Sequence, residues 1–112
     1  MRTVILSAAA LLVSSTIAFA DPIVGNWTTG SGGKVAVSNC GSAFCVKVRS
    51  GEHAGKQIGR FNRDGDRYKG KITDPTNDRT YNGSAWFSGT NLKMRGAVLG
   101  GLLGRTDTWR KG

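Results

Sequence analysis

The stretch Ile23-Val24-Gly25-Asn26-Trp27-Thr28-Thr29 decides how this chain is read. Side chains alternate sides along a strand, so Ile23, Gly25, Trp27 and Thr29 share one face and Trp27 points into a core. A Gly-x-Trp opening the first strand places a large, rigid side chain where it can close one end of a small β-barrel. The rest of the chain then reads as short strands.

Upstream of this strand, Met1-Arg2 is followed by an apolar run from Val4 to Ile17 and then by Ala18-Phe19-Ala20. A basic start, a short apolar core and an Ala-x-Ala site are the marks of an exported chain's signal peptide, with cleavage expected after Ala20. The run is too short and too early for a spanning helix. No Cys follows it, which excludes a lipoprotein anchor. The expected organisation is a signal peptide over 1–20 and one domain over 21–112, with no transmembrane segment after cleavage. The expected location is the periplasm or the cell exterior.

Downstream, Gly, Asn and Asp clusters separate strand signals at short intervals, and no stretch keeps a helical period. Val35 and Val37 alternate with Lys34 and Ser38; Phe44, Val46 and Val48 alternate with Lys47 and Arg49. Further strands are expected over 56–61, 67–72, 79–87, 92–98 and 105–110, with turns at Asn62–Asp66, Asp74–Asp78 and Ser88–Asn91. Asp64-Gly65 marks the first of these turns as a tight hairpin. The fold class is all-β: about eight antiparallel strands in an up-and-down barrel, because closure removes exposed edges. A sandwich is the second choice. A barrel of this size either fills its interior with side chains or holds one small ligand.

Cys40 and Cys45 lie in the exported part and are expected to form one disulfide across a hairpin turn. Their small ring contributes about 2 kcal/mol. The Cys-x4-Cys spacing argues against a redox centre.

Several segments together carry a recognisable pattern: Asp21-Pro22-Ile23-Val24-Gly25-Asn26-Trp27, the two cysteines, Asp74-Pro75-Thr76-Asn77 with Thr80-Tyr81-Asn82-Gly83, Leu92-Lys93-Met94-Arg95-Gly96, and Leu103-Gly104-Arg105-Thr106-Asp107-Thr108-Trp109-Arg110. In this order they resemble the bacterial family called domain of unknown function 2147, across nearly all of the exported part. The resemblance implies a secreted bacterial domain and brings no established activity. The Gly-x-Trp start and a late arginine also resemble the calycin barrels, where a first-strand Trp packs under an Arg of the last strand. Carried over by position, Trp27 is that Trp and either Arg105 or Arg110 is its partner. Trp109 is expected in the core beside them.

Catalysis finds no constellation. The single histidine, His53, is expected to be a solvated loop residue with no nucleophile motif beside it, and Glu52, Asp74 and Asp78 form no recognisable acid–base pair. Asn62, Asp64 and Asp66 have the spacing that opens a calcium loop. Arg67 stands where its glycine belongs and Thr73 where its closing Glu belongs, so no metal site is expected. No cofactor is expected. Asn26-Trp27-Thr28 and Asn82-Gly83-Ser84 match a glycosylation pattern inside strands and are read as coincidence.

Two features point toward binding. The apolar run 96–104 lies between Arg95 and Arg105, too short to span a membrane; Val98, Leu99, Leu102 and Leu103 would fold over one end of the barrel or form an apolar lip for a ligand, a membrane surface or a partner. The chain also carries net charge +9, and loss of Arg2 alone on cleavage leaves +8. Arg67, Lys69 and Lys71 alternate along one strand, with Arg60, Arg63 and Arg79 nearby, giving an anionic-surface patch. Export makes lipid headgroups or acidic polymers the expected partners, rather than nucleic acid.

These features lead to an exported, non-enzymatic binding protein for a small apolar or amphipathic envelope molecule, the ligand residues being Val98, Leu99, Leu102, Leu103, Arg67, Lys69 and Lys71. The alternative is an inhibitor with a protein partner, acting through the Cys40–Cys45 turn or the N-terminal arm.

Overall fold

The computed structural model describes residues 21–96 and 105–112. The expected 1–20 leader and the apolar residues Val98, Leu99, Leu102 and Leu103 lie outside the described residues. Eight strands follow in order: β1 (Gly25–Thr28), β2 (Lys34–Cys40), β3 (Ala43–Val48), β4 (Gln57–Asp64), β5 (Arg67–Asp74), β6 (Arg79–Ser88), β7 (Asn91–Gly96) and β8 (Arg105–Lys111). Each pairs antiparallel with the next, and β8 returns to β1, closing the barrel. The sandwich alternative is thereby excluded. Closure leaves no strand edge unpaired by topology, which suits a chain this small.

Successive strands alternate direction, so the connections fall into two groups. At one end Gly41-Ser42, Gly65-Asp66 and Gly89-Thr90 are two-residue turns between the paired residues Cys40↔Ala43, Asp64↔Arg67 and Ser88↔Asn91. Their glycines have φ of 69°, 65° and 63° and the second residues do not have positive φ, the pattern of type II′ hairpins with Gly first. The Asp64-Gly65 signal therefore marked the right turn with the central pair displaced by one residue, and β4 runs on to Asp64. At the other end the described connections are longer: 29–33, 49–56 and 75–78.

The short-turn end is packed. Ile23, Trp27, Phe44, Phe61, Tyr68 and Leu92 are buried there or just behind it. Phe44 meets Tyr68 edge-on with ring centroids 5.7 Å apart, and Phe87 lies 6.0 Å from Trp27 and 6.2 Å from Tyr68. Such tilted aromatic contacts add to the stabilisation from burial. Trp27 satisfies its indole N–H by donating to the Ile23 carbonyl at 2.9 Å. Cys40 and Cys45 form the disulfide across the β2–β3 turn, with Cα atoms 5.8 Å apart.

The N-terminal arm closes this end. Asp21 accepts hydrogen bonds from the Tyr68 hydroxyl, from the Ile23 N–H at 3.0 Å and from Arg63 at 2.6 Å. Burial alone would raise the Asp21 pKa, but these hydrogen bonds and the Arg63 charge outweigh it and hold the carboxyl below its ordinary value. Burial and the neighbouring carboxylate push the Tyr68 hydroxyl strongly upward, so it stays protonated as the donor.

Candidate functional site

The long-connection end holds a cavity of about 850 Å³. Its apolar wall comes from Val35, Val48, Ile58, Ile72, Tyr81 and Trp109, and its rim carries Lys34, Asp74, Arg105 and Asp107. Gly70, Gly83 and Gly96 face one another directly across β5, β6 and β7, and of the three Gly96 borders the cavity. Gly70 is obligatory, because a Cβ there would strike the Arg60 carbonyl. Gly83 lies under Ile72, whose side chain would be 2.5 Å from an added Cβ, whereas a Cβ on Gly96 would meet only Ile72 Cδ1 at 3.8 Å. The choice between cavity and filled interior thus resolves into one of each, at opposite ends.

Ile58 reaches this wall through an irregularity. Val46 pairs with Gly59 and Lys47 with Gln57, so Ile58 is an extra residue on β4. A bulge re-aims a side chain against the strict alternation, and Ile58 packs against the core although its number assigns it to the outer face.

At the rim, Asp107 ties two elements together. Its carboxylate accepts from the Gly30 N–H at 3.1 Å and from the Trp109 indole N–H at 3.0 Å. A side chain at Gly30 would collide with it. Sequence reasoning passed over Asp107, although a charged residue on the inward side of a strand between Thr106 and Thr108 is the available signal. Asp74 accepts from the Thr76 hydroxyl at 2.6 Å and the Thr76 N–H at 2.9 Å, which hold its pKa down.

The expected latch changes partner. The cation over Trp27 is Lys111, with Nζ 4.7 Å from the indole centroid and also donating to the Val24 carbonyl at 3.2 Å. Lys111 stands directly opposite Trp27 in the β1–β8 ladder, while Arg110 pairs with Thr28 and points to solvent, and Arg105 pairs with Gly96 at the cavity rim. Trp109 is buried, as a core residue should be.

On the outside, Arg67, Lys69 and Lys71 are exposed along β5, with Arg60 opposite Lys71. Arg63 does not join them, since it pairs with Tyr68 and turns to Asp21; Arg79 sits opposite Asp74 at the cavity end. Instead β7 contributes Lys93 and Arg95 to this wall. Arg67 stacks on Trp86 at 4.7 Å. His53 is half-buried rather than fully solvated, beside Glu52 at 3.5 Å.

The described residues define a small, closed, eight-stranded antiparallel barrel with a packed end, an apolar cavity and a basic outer wall. The model of a bacterial family described as uncharacterized protein conserved in bacteria (DUF2147) matches residues 49–111, more than half of the chain, and the chain belongs to that family. The matched stretch begins after Trp27 and both cysteines. No curated protein and no solved structure matches the chain. Among the described residues no helix is long and apolar enough to cross a membrane.

Proposed function

We propose that this barrel is an exported, non-enzymatic binding protein that holds a small apolar or amphipathic molecule of the bacterial envelope in the cavity at its long-connection end. The observation that carries this reading is the 850 Å³ cavity with its wall of Val35, Val48, Ile58, Ile72 and Trp109, a size and lining suited to a small ligand. The apolar body would sit against this wall, and the head would meet the rim, where Lys34 and Arg105 are balanced by Asp74 and Asp107. At longer range, the positive field of Arg67, Lys69 and Lys71 on the outer wall would draw an anionic head toward the barrel.

Gly96→Leu tests the reading, because the site accepts a Cβ without collision and a leucine there extends into the cavity. A neutral apolar fluorophore, N-phenyl-1-naphthylamine, should bind the natural protein and lose binding by about tenfold or more in the variant, with melting little changed. Equal binding by both proteins would overturn the assignment. Native mass spectrometry of the purified protein would then read any co-purified small molecule directly.

A further inference from the structure

The outer wall contains a feature independent of the cavity. Ser84 on β6 stands directly opposite Lys69 on β5 and directly opposite Arg95 on β7. Neighbouring strands lie about 4.8 Å apart, so the two cations are rooted roughly 10 Å apart with the hydroxyl midway. Together with Asn82 they line a shallow pit of about 190 Å³. We propose that this pit binds a tetrahedral oxyanion, a phosphate or sulfate group, between the Lys69 ammonium and the Arg95 guanidinium, with the Ser84 hydroxyl as a third donor.

The chemistry favours this ligand class. An Arg fork matches phosphate or sulfate oxygens, a Lys supplies a point charge, and donors from three strands suit a group with several acceptor oxygens. The surrounding field has one sign. The outward positions of β5 to β8 carry Arg67, Lys69, Lys71, Lys93, Arg95 and Arg110 and no carboxylate. The nearest acid is Asp64 at the end of β4, 3.3 Å from Lys69, with both side chains more than half exposed. An exposed pair of this kind contributes little, so Lys69 can exchange it for a ligand. Arg95 spends one N–H on the Thr106 hydroxyl at 3.2 Å and retains the others.

The test is a titration of inorganic phosphate, then sulfate, followed by amide chemical shifts. The expected result is saturable shifts centred on Gly83, Ser84 and Lys69. Lys69→Gln and Arg95→Gln should each weaken the affinity by about tenfold, the loss expected for one charge-assisted contact. Lys47→Gln, an exposed cation on the far wall, should change it by less than about twofold. Equal weakening by all three variants, shifts spread around the barrel, or no saturation would overturn the site. Vesicles containing phosphatidylglycerol identify the source: loss of vesicle binding in the same variants assigns the oxyanion to a headgroup, while phosphate binding without vesicle binding assigns it to a free or polymer-borne group. Retained binding of the neutral fluorophore separates failure here from failure of the cavity reading.

Discussion

The two ends of this barrel are made by the same eight strands yet differ in what points inward. At the packed end, Trp27, Phe44, Tyr68 and Phe87 form a chain of aromatic contacts, under an arm fastened by Asp21. Toward the cavity, β5 to β7 carry the paired glycines Gly70, Gly83 and Gly96, of which Gly96 borders the opening. The connections follow the same division, with two-residue Gly-x turns closing the packed end and longer segments leaving the cavity end. The lesson is a division of labour in a small domain: one half supplies the core that holds the barrel together, and the other half can leave apolar surface uncovered.

This contrast can be broken most forcefully at Trp27. Trp27→Ala removes a fully buried indole and should cost about 3 to 5 kcal/mol, read by thermal or denaturant melting; near-normal melting would mean that the packed end is not the source of stability. Replacing both Cys40 and Cys45 by Ser removes a covalent staple from the same end and should cost about 2 kcal/mol, visible as a lower denaturation midpoint under non-reducing conditions. The natural protein treated with reductant should reproduce that loss.

Asp21→Asn sharpens the role of the arm. It weakens the charge-assisted contacts with Tyr68 and Arg63 and should cost about 1 to 2 kcal/mol at neutral pH. The carboxyl pKa is depressed in the folded state from its ordinary 3.8, so its contribution is fully present above that value and is lost as pH falls through the folded pKa. The stability gap between natural protein and Asp21→Asn should therefore be constant near neutrality and shrink below about pH 4. A gap that grows on acidification would contradict the clamp.

The smallest effect on stability belongs to the cavity wall. Val48→Ser, at a half-buried position beside the opening, should cost about 1 kcal/mol or less while reducing fluorophore binding severalfold. A loss of stability as large as that of Trp27→Ala would erase the distinction between the two ends.

Much of the frame was legible along the chain. The alternation Val35/Val37, Phe44/Val46 and Leu92/Met94 identified inward faces, the Gly-rich turns counted the strands, and Arg67, Lys69 and Lys71 were correctly turned to solvent. These readings succeeded because period-two patterning and turn chemistry act over a few residues. The latch partner was misread for the opposite reason: whether Arg105, Arg110 or Lys111 meets Trp27 depends on the β1–β8 register, set between segments more than eighty residues apart. Ile58 was hidden by a bulge, which breaks the local period on which the reading depends.

What the sequence by itself determined is therefore a basic, all-β chain with a disulfide hairpin and a Trp-centred core. Only the tertiary structure decided that Asp21 fastens the arm to Tyr68 and Arg63, that Asp107 anchors Trp109 at the rim, and that Gly70, Gly83 and Gly96 align across three strands with Gly96 at the cavity. It also decided that Lys69 and Arg95 flank Ser84. Each of these depends on the offset between neighbouring strands, which fixes which side chains meet, and that offset emerges only when the whole barrel closes with its apolar faces inward.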